Sequence, residues 1–312
     1  MLSRHNIRVK VLQTLYVYTQ TEGDTSKNAE RNYMQAIHDS YRLYLFSMLY
    51  LQKVATYALK DFEIKSNKLV PTEEDKKASL KLYENPIIQS ILENGAFQRL
   101  LKKEKLMSLP DTDLVRKLFK KFSQSEYYQQ YLDMKTTPMR EHQYALVNLY
   151  KTMLEDEVYV ELMEDYFPTW VDDKSLAFGA LKRSIRSLPD DDRFFITQEA
   201  NSEFVHEFGK ELLYLSIRHD EELREMIVPK LKNWKEDRVA IIDMLLLKLG
   251  ICEFLHFPSV PTKVTINEYV SLAKEYSTDK SKRFVNGILD RLMKELMDEG
   301  KINKEGRGLK DK

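Results

Sequence analysis

The chain has 312 residues, with 49 Lys+Arg, 49 Asp+Glu and a single cysteine. It is long enough to bury a substantial core. The even charge balance excludes a global field for nucleic acid, and Cys252 alone excludes an intrachain disulfide or a cysteine-built zinc site. The longest apolar run, Leu43 to Leu51, is too short to cross a bilayer, which takes about 20 apolar residues, so it reads as a buried helix.

Only nine glycines and nine prolines occur, and strand-like alternation is absent. The whole chain therefore reads as helix. The spacing predicts a first helix from Ser3 to Gln20, with Ser3 as N-cap. Ile7, Val11, Leu12 and Leu15 form its apolar stripe, and Asn6, Lys10 and Gln13 its opposite face. Arg4, His5, Arg8 and Lys10 all precede the first acid, Glu22, so this end is locally basic. A long helix follows over Arg31 to Phe62. Further helical stretches are expected at Pro86 to Met107, Thr112 to Met134, Pro138 to Tyr166 and Lys174 to Ser187. Phe62, Phe119, Phe122 and Trp170 are the expected core of this middle region.

From Glu203, helical spacing resumes through Phe204, Phe208, Leu212, Leu215 and Ile227, and His219-Asp220-Glu221-Glu222 starts another helix. A helix headed by Trp234 ends between Gly250 and Pro258. Pro261 opens the next, and Ser277-Thr278-Asp279 caps the last. Lys280, Lys282 and Arg283 make a second basic cluster. The tail after Gly300 has too few apolar residues to pack.

Three blocks in this part carry a resemblance when taken in order. They hold Trp234, Arg238, Asp243 and Glu253; then Val260-Pro261, Lys263-Val264, Ile266-Asn267-Glu268 and Ala273-Lys274; then Phe284-Val285-Asn286-Gly287. Together they resemble the NusB family of transcription antitermination factors, and Arg4, Arg8, Leu15 and Tyr16 extend the resemblance to the first helix. It implies an all-α, NusB-like helical bundle with a large helical insertion. The implied divisions are a first helix in 1–22, an insertion in 23–200, an RNA-binding core in 201–300 and a mobile basic tail in 301–312.

The resemblance further implies a cytoplasmic, non-catalytic RNA-binding factor that needs no cofactor and no membrane. Its partners would be boxA-like single-stranded RNA of ribosomal transcripts, the ribosomal protein NusE and, indirectly, the elongating RNA polymerase. Such a site needs cations for phosphates and an aromatic face for an unstacked base. The expected RNA-binding residues are Arg4, His5, Arg8, Tyr276, Lys280, Ser281, Lys282 and Phe284. Tyr16 and Asp243 are candidates for an RNA or NusE surface. Phe284 also fits a core position beside Ile288 and Leu292, and Asp243 also fits a surface pair with Lys248 or Arg238. Asn286-Gly287 inside a helix suggests close approach by a neighbouring helix. The sequence departs from the family at His5 and Asn6, where cations are usual, and at Lys280, where an acid is common.

Two alternatives remain open. One is a ribosome-assembly scaffold using the same RNA and NusE surfaces. The other is a di-iron bundle enzyme, because Glu203-Phe-Val-His206 and Glu253-Phe-Leu-His256 both carry the E-x-x-H spacing.

Overall fold

The computed structural model describes residues 1–73, 75–231 and 238–311, and among them the regular structure is entirely helical. The chain divides into two compact units. One holds Met1 and His38–Glu199; the other holds Leu2–Ile37 and Ala200–Lys312. None of the described helices is long and apolar enough to cross a membrane.

The first unit is built on helix α2 (Ser26–Ser66), whose later part it contains. Leu43, Tyr44, Leu45, Phe46, Met48, Leu49, Tyr50 and Leu51 are all fully buried, as is Ser47 among them. A helix apolar on every side must be enclosed, and the Ser47 hydroxyl is satisfied by the Tyr150 hydroxyl at 3.0 Å. Around α2 lie α3 (Pro86–Glu93), α4 (Gly95–Lys103), α5 (Thr112–Ser123), α6 (Glu126–Asp133), α7 (Met139–Leu154), α8 (Glu157–Tyr166) and α9 (Trp170–Ser187). Three stretches that periodicity reads as single helices are thus each two. Asn94, Ser125 and Asp156 break them, each accepting a backbone N–H of the new first turn, from Phe97, Tyr128 and Tyr159. Phe119, Phe122 and Trp170 are in the core as expected, whereas Phe62 is only half-buried.

The second unit is centred on α1 (Arg4–Gln20) and α12 (Ile241–His256). Ser3 caps α1 in a reciprocal box with Asn6. The stripe of Ile7, Val11, Leu12 and Leu15 is buried, but so are Arg8, Val9, Lys10 and Thr14. Lys10, assigned by periodicity to the solvent side, is 1% exposed because α1 is covered on nearly all sides.

A π-helical stretch, Glu203–Lys210, runs into α10 (Glu211–Arg218) and packs on α1. Gly209 lets Ile7 and Tyr33 approach that backbone, where a Cβ would overlap both. α11 (Asp220–Ile227), α13 (Thr262–Tyr276) and α14 (Ser281–Asp298) enclose α12. Trp234, expected at the head of the α12 helix, lies outside the described residues. The segment after Gly300 is tied down rather than mobile over its first residues. Lys304 Nζ donates to the carbonyls of Glu253 and Phe257, and Glu305 N–H to that of Pro258, satisfying the open end of α12.

Candidate nucleic-acid interface

The predicted residues fall into two groups, one at the start of α1 and one at the start of α14. Each basic residue of the first group faces a carboxylate. Arg4 is about one third exposed, lies 3.4 Å from Glu203 Oε1 and stacks over the rings of Phe204 and Phe208. His5 Nδ1 is 2.8 Å from Glu268 Oε2. That hydrogen bond raises the His5 pKa above its ordinary value despite partial burial, and holds the Glu268 carboxyl below its own.

Arg8 departs from its expected role. It is 2% exposed and donates through Nε and Nη2 to the two oxygens of Glu253, at 2.9 and 2.7 Å. Thr265 and Tyr269 hydroxyls complete the Glu253 carboxylate at 2.7 and 3.0 Å, and Phe208 covers the guanidinium. Arg8 is therefore part of a dry ion pair at the centre of its unit and cannot reach a phosphate. The same geometry removes the di-iron reading. Glu253 has both oxygens engaged, and no three His, Cys, Asp or Glu side chains converge for a metal among the described residues. Cys252 beside it is packing: burial pushes its thiol up to about 12, far from the thiolate that reactivity needs.

In the second group, the turn before α14 is held from below. Ser281 is buried, so its expected RNA contact is corrected to a structural one. Its hydroxyl donates to Asp243 Oδ2 at 2.7 Å and lies 2.8 and 2.9 Å from the hydroxyls of Thr278 and Ser277. Asp243 is 6% exposed, which takes it off the surface, and the bland pairing with Lys248 also fails, since Lys248 binds Asp220 at 2.6 Å. The expected cap of α14 by Ser277-Thr278-Asp279 becomes this hydroxyl knot, with Lys280 at the N-cap position making no side-chain cap bond.

Above the knot, Asp279, Lys280, Arg283 and Phe284 line an open cavity of about 400 Å³. Lys280, Lys282 and Arg283 are exposed, and none has a carboxylate partner among the described residues. Phe284 and Tyr276 are half-buried, between core and solvent. Arg283 was legible as a member of the basic cluster, but its spacing did not single it out as a lining residue. Among the described residues nothing lies within 4 Å of a would-be Cβ on Gly287, so no described helix makes the close approach expected there. It occurs instead at Gly250, where a Cβ would lie 2.7 Å from Leu289 Cδ2. Tyr16 is 41% exposed on α1.

Residues 172–294 match the model of the NusB family. This chain carries a NusB-family domain. Its curated relatives are named transcription antitermination protein NusB. The one from Salinibacter ruber is 41% identical over 105 residues, covering 34% of this chain and 66% of the relative. That from Chloroherpeton thalassium is 45% identical over 95 residues, 30% of this chain and 45% of the relative. That from Finegoldia magna is 44% identical over 88 residues, 28% and 64%. The chain thus spans about two thirds or less of these relatives' lengths. No solved structure matches it. The NusB-family match includes the α12–α14 cluster and its cavity, and it begins in α9, upstream of the point where the sequence pattern first resembles the family.

Proposed function

We propose that this chain is a non-catalytic RNA-binding factor of transcription antitermination, which loads on boxA-like single-stranded RNA together with NusE. The observation that carries this reading is the cavity at the start of α14. Three unpaired cations stand beside a half-buried aromatic ring, the pairing of phosphate contact and base stacking that single-stranded RNA requires. The NusB-family domain and the names of its relatives support it. Tyr276 before α14 and Arg4 and His5 at the start of α1 remain candidate RNA contacts, and Tyr16 a candidate contact to NusE.

The turn chemistry explains how a neutral chain achieves this. Asp243 and Ser281 fix the turn from within, and Lys280, Lys282 and Arg283 project from it without forming an ion pair among the described residues, beside the one acid of the cavity, Asp279. The test is titration of a boxA-containing leader RNA and a scrambled control, with and without NusE. Phe284→Ala is expected to weaken leader binding by about 1–3 kcal/mol, the usual worth of a stacked base, with its fold retained. A melting loss of about 3–5 kcal/mol, as for a truncated core phenylalanine, with leader affinity intact would reject stacking. Equal affinity for leader and scrambled RNA in the presence of NusE would reject the boxA assignment.

A further inference from the structure

We propose that the C-terminal end of α4, in the unit spanning His38–Glu199, is a second RNA contact surface that holds the phosphate backbone without reading sequence. This rests on the RNA-binding reading above and extends it to a part of the chain outside the NusB-family match.

Arg99, Lys102 and Lys103 stand at i, i+3 and i+4, so they share one side of α4. All three are exposed, while Phe97 and Leu101 bury the opposite side. The helix ends in a tight turn: Lys105 N–H bonds the Lys102 carbonyl and Leu106 N–H the Leu101 carbonyl, both at 3.0 Å. That turn places its following residue in the left-handed region, where glycine is usual. Here the residue is Lys105, with φ 57°, and no other non-glycine among the described residues has a positive φ. An L side chain is strained in that conformation, and strain of this kind clusters at functional positions. What the substitution of lysine for glycine adds is one more exposed cation.

None of these four cations has a carboxylate partner among the described residues. The one acid in the stretch, Glu104, is half-buried and turned toward His38 at 3.2 Å and Arg42 at 3.4 Å. At the other end of α4, the Asn94 amide donates to the Asp192 carbonyl. The basic end therefore carries four exposed cations with no ion-pair partner among the described residues, in a chain with no net charge.

The surroundings decide the class of partner. No exposed large apolar side chain occurs among the described residues between Val70 and Met139, and the segment packed on Phe97 through Phe194 and Phe195 adds a single one, Ile196, too little for a cluster of anchors. A membrane surface would need such anchors, and a protein partner a desolvated apolar centre. Base stacking would need an exposed ring. Cations alone suit phosphates.

The test is the salt dependence of RNA binding by the full chain, using the leader and the scrambled RNA of equal length. The variant combines Arg99→Gln, Lys102→Gln, Lys103→Gln and Lys105→Gln. The slope of log affinity against log salt is expected to fall by about 0.7 per lost contact, up to about 3 for all four. The fall should be the same on both RNAs, with the melting temperature unchanged. Lys105→Gly alone should raise the melting temperature while weakening RNA binding. Wild-type binding with an unchanged slope in the fourfold variant overturns this surface and leaves the α14 cavity standing. Failure of the wild-type chain to bind either RNA overturns both readings. A variant that loses binding to anionic lipid vesicles but not to RNA reassigns the surface and overturns the proposal.

Discussion

At the scale of single residues, Arg4 and Arg8 show how similar sequence positions acquire opposite roles. Both sit in a locally basic first helix, and the pattern alone suggests phosphate contact for each. One turn of helix separates them, yet Arg4 lies partly in solvent and Arg8 is sealed against Glu253. The hint was present, since Arg8 lies within one turn of Ile7, Val11 and Leu12. The partner, 245 residues away, was not legible, because an ion pair leaves no local trace. Arg8→Ala is expected to cost about 3–5 kcal/mol in denaturant unfolding, since it strands a buried carboxylate. Arg4→Ala should cost under about 1 kcal/mol, as exposed pairs do. Comparable losses for the two would contradict the burial difference. His5 adds a pH signature. Its folded pKa is raised above the ordinary 6.5, so its contribution is complete below pH 6.5 and fades as pH rises through the folded value. Glu268 is shifted the other way, so its share is present above its ordinary 4.5 and lost as pH falls through the depressed value. Stability supplied by the pair therefore peaks in the window from about 4.5 to 6.5. In His5→Ala, unfolding free energy followed from pH 6 to pH 8 should lose this decline; an identical decline would show that the pair contributes nothing.

Among the helices, periodicity located most, because a helix with one buried face repeats its apolar residues every three to four positions, while the Leu43–Leu51 part of α2 showed itself by an unbroken apolar run. It failed at the breaks within α3–α8, where apolar spacing continues across Asn94, Ser125 and Asp156. Their capping side chains were the available signal, outweighed by the uninterrupted pattern. Two helical glycines of the NusB-family domain, one in α12 and one in α14, give another lesson at this scale. The sequence pattern reads Gly287 as a helix-contact position and Gly250 as marking a helix end, although α12 runs on to His256. Of the two, Gly250 is the contact position, wedged against Leu289 and Tyr269, while Gly287 meets no described residue. Gly287→Ala should stabilise by about 0.5–1 kcal/mol through helix propensity. Gly250→Ala gains the same propensity but must displace the buried Leu289, so overpacking of about 1–3 kcal/mol outweighs it. Thermal or denaturant melts of the two variants should move in opposite directions. A stabilised Gly250→Ala would mean that Leu289 of α14 yields to the added methyl at little cost.

For the molecule as a whole, the chain's two ends meet in one unit and its middle forms another. Helical class was legible from the scarcity of glycine and proline, and the α14 cluster from its run of cations. The exact hand-over was not, because α2 runs without interruption from Ser26 to Ser66 while its residues divide after Ile37. Helical periodicity says nothing about which core each turn serves. This division makes a prediction about how stability is distributed, because cooperative units open with their own free energies. Arg8→Ala removes a partner from the centre of the unit holding α1 and α12. Amides of α1, α10, α12 and α13 should then lose hydrogen-exchange protection by the amount of the global destabilisation. Amides of α5, α7 and α9, whose core is built on Leu43–Leu51 and contains no part of the Arg8–Glu253 network, should keep theirs. Loss of protection in both sets alike would show that the two units unfold as one. In that case the insertion would be a part of the NusB-like fold's stability and not an independently cohering addition to it.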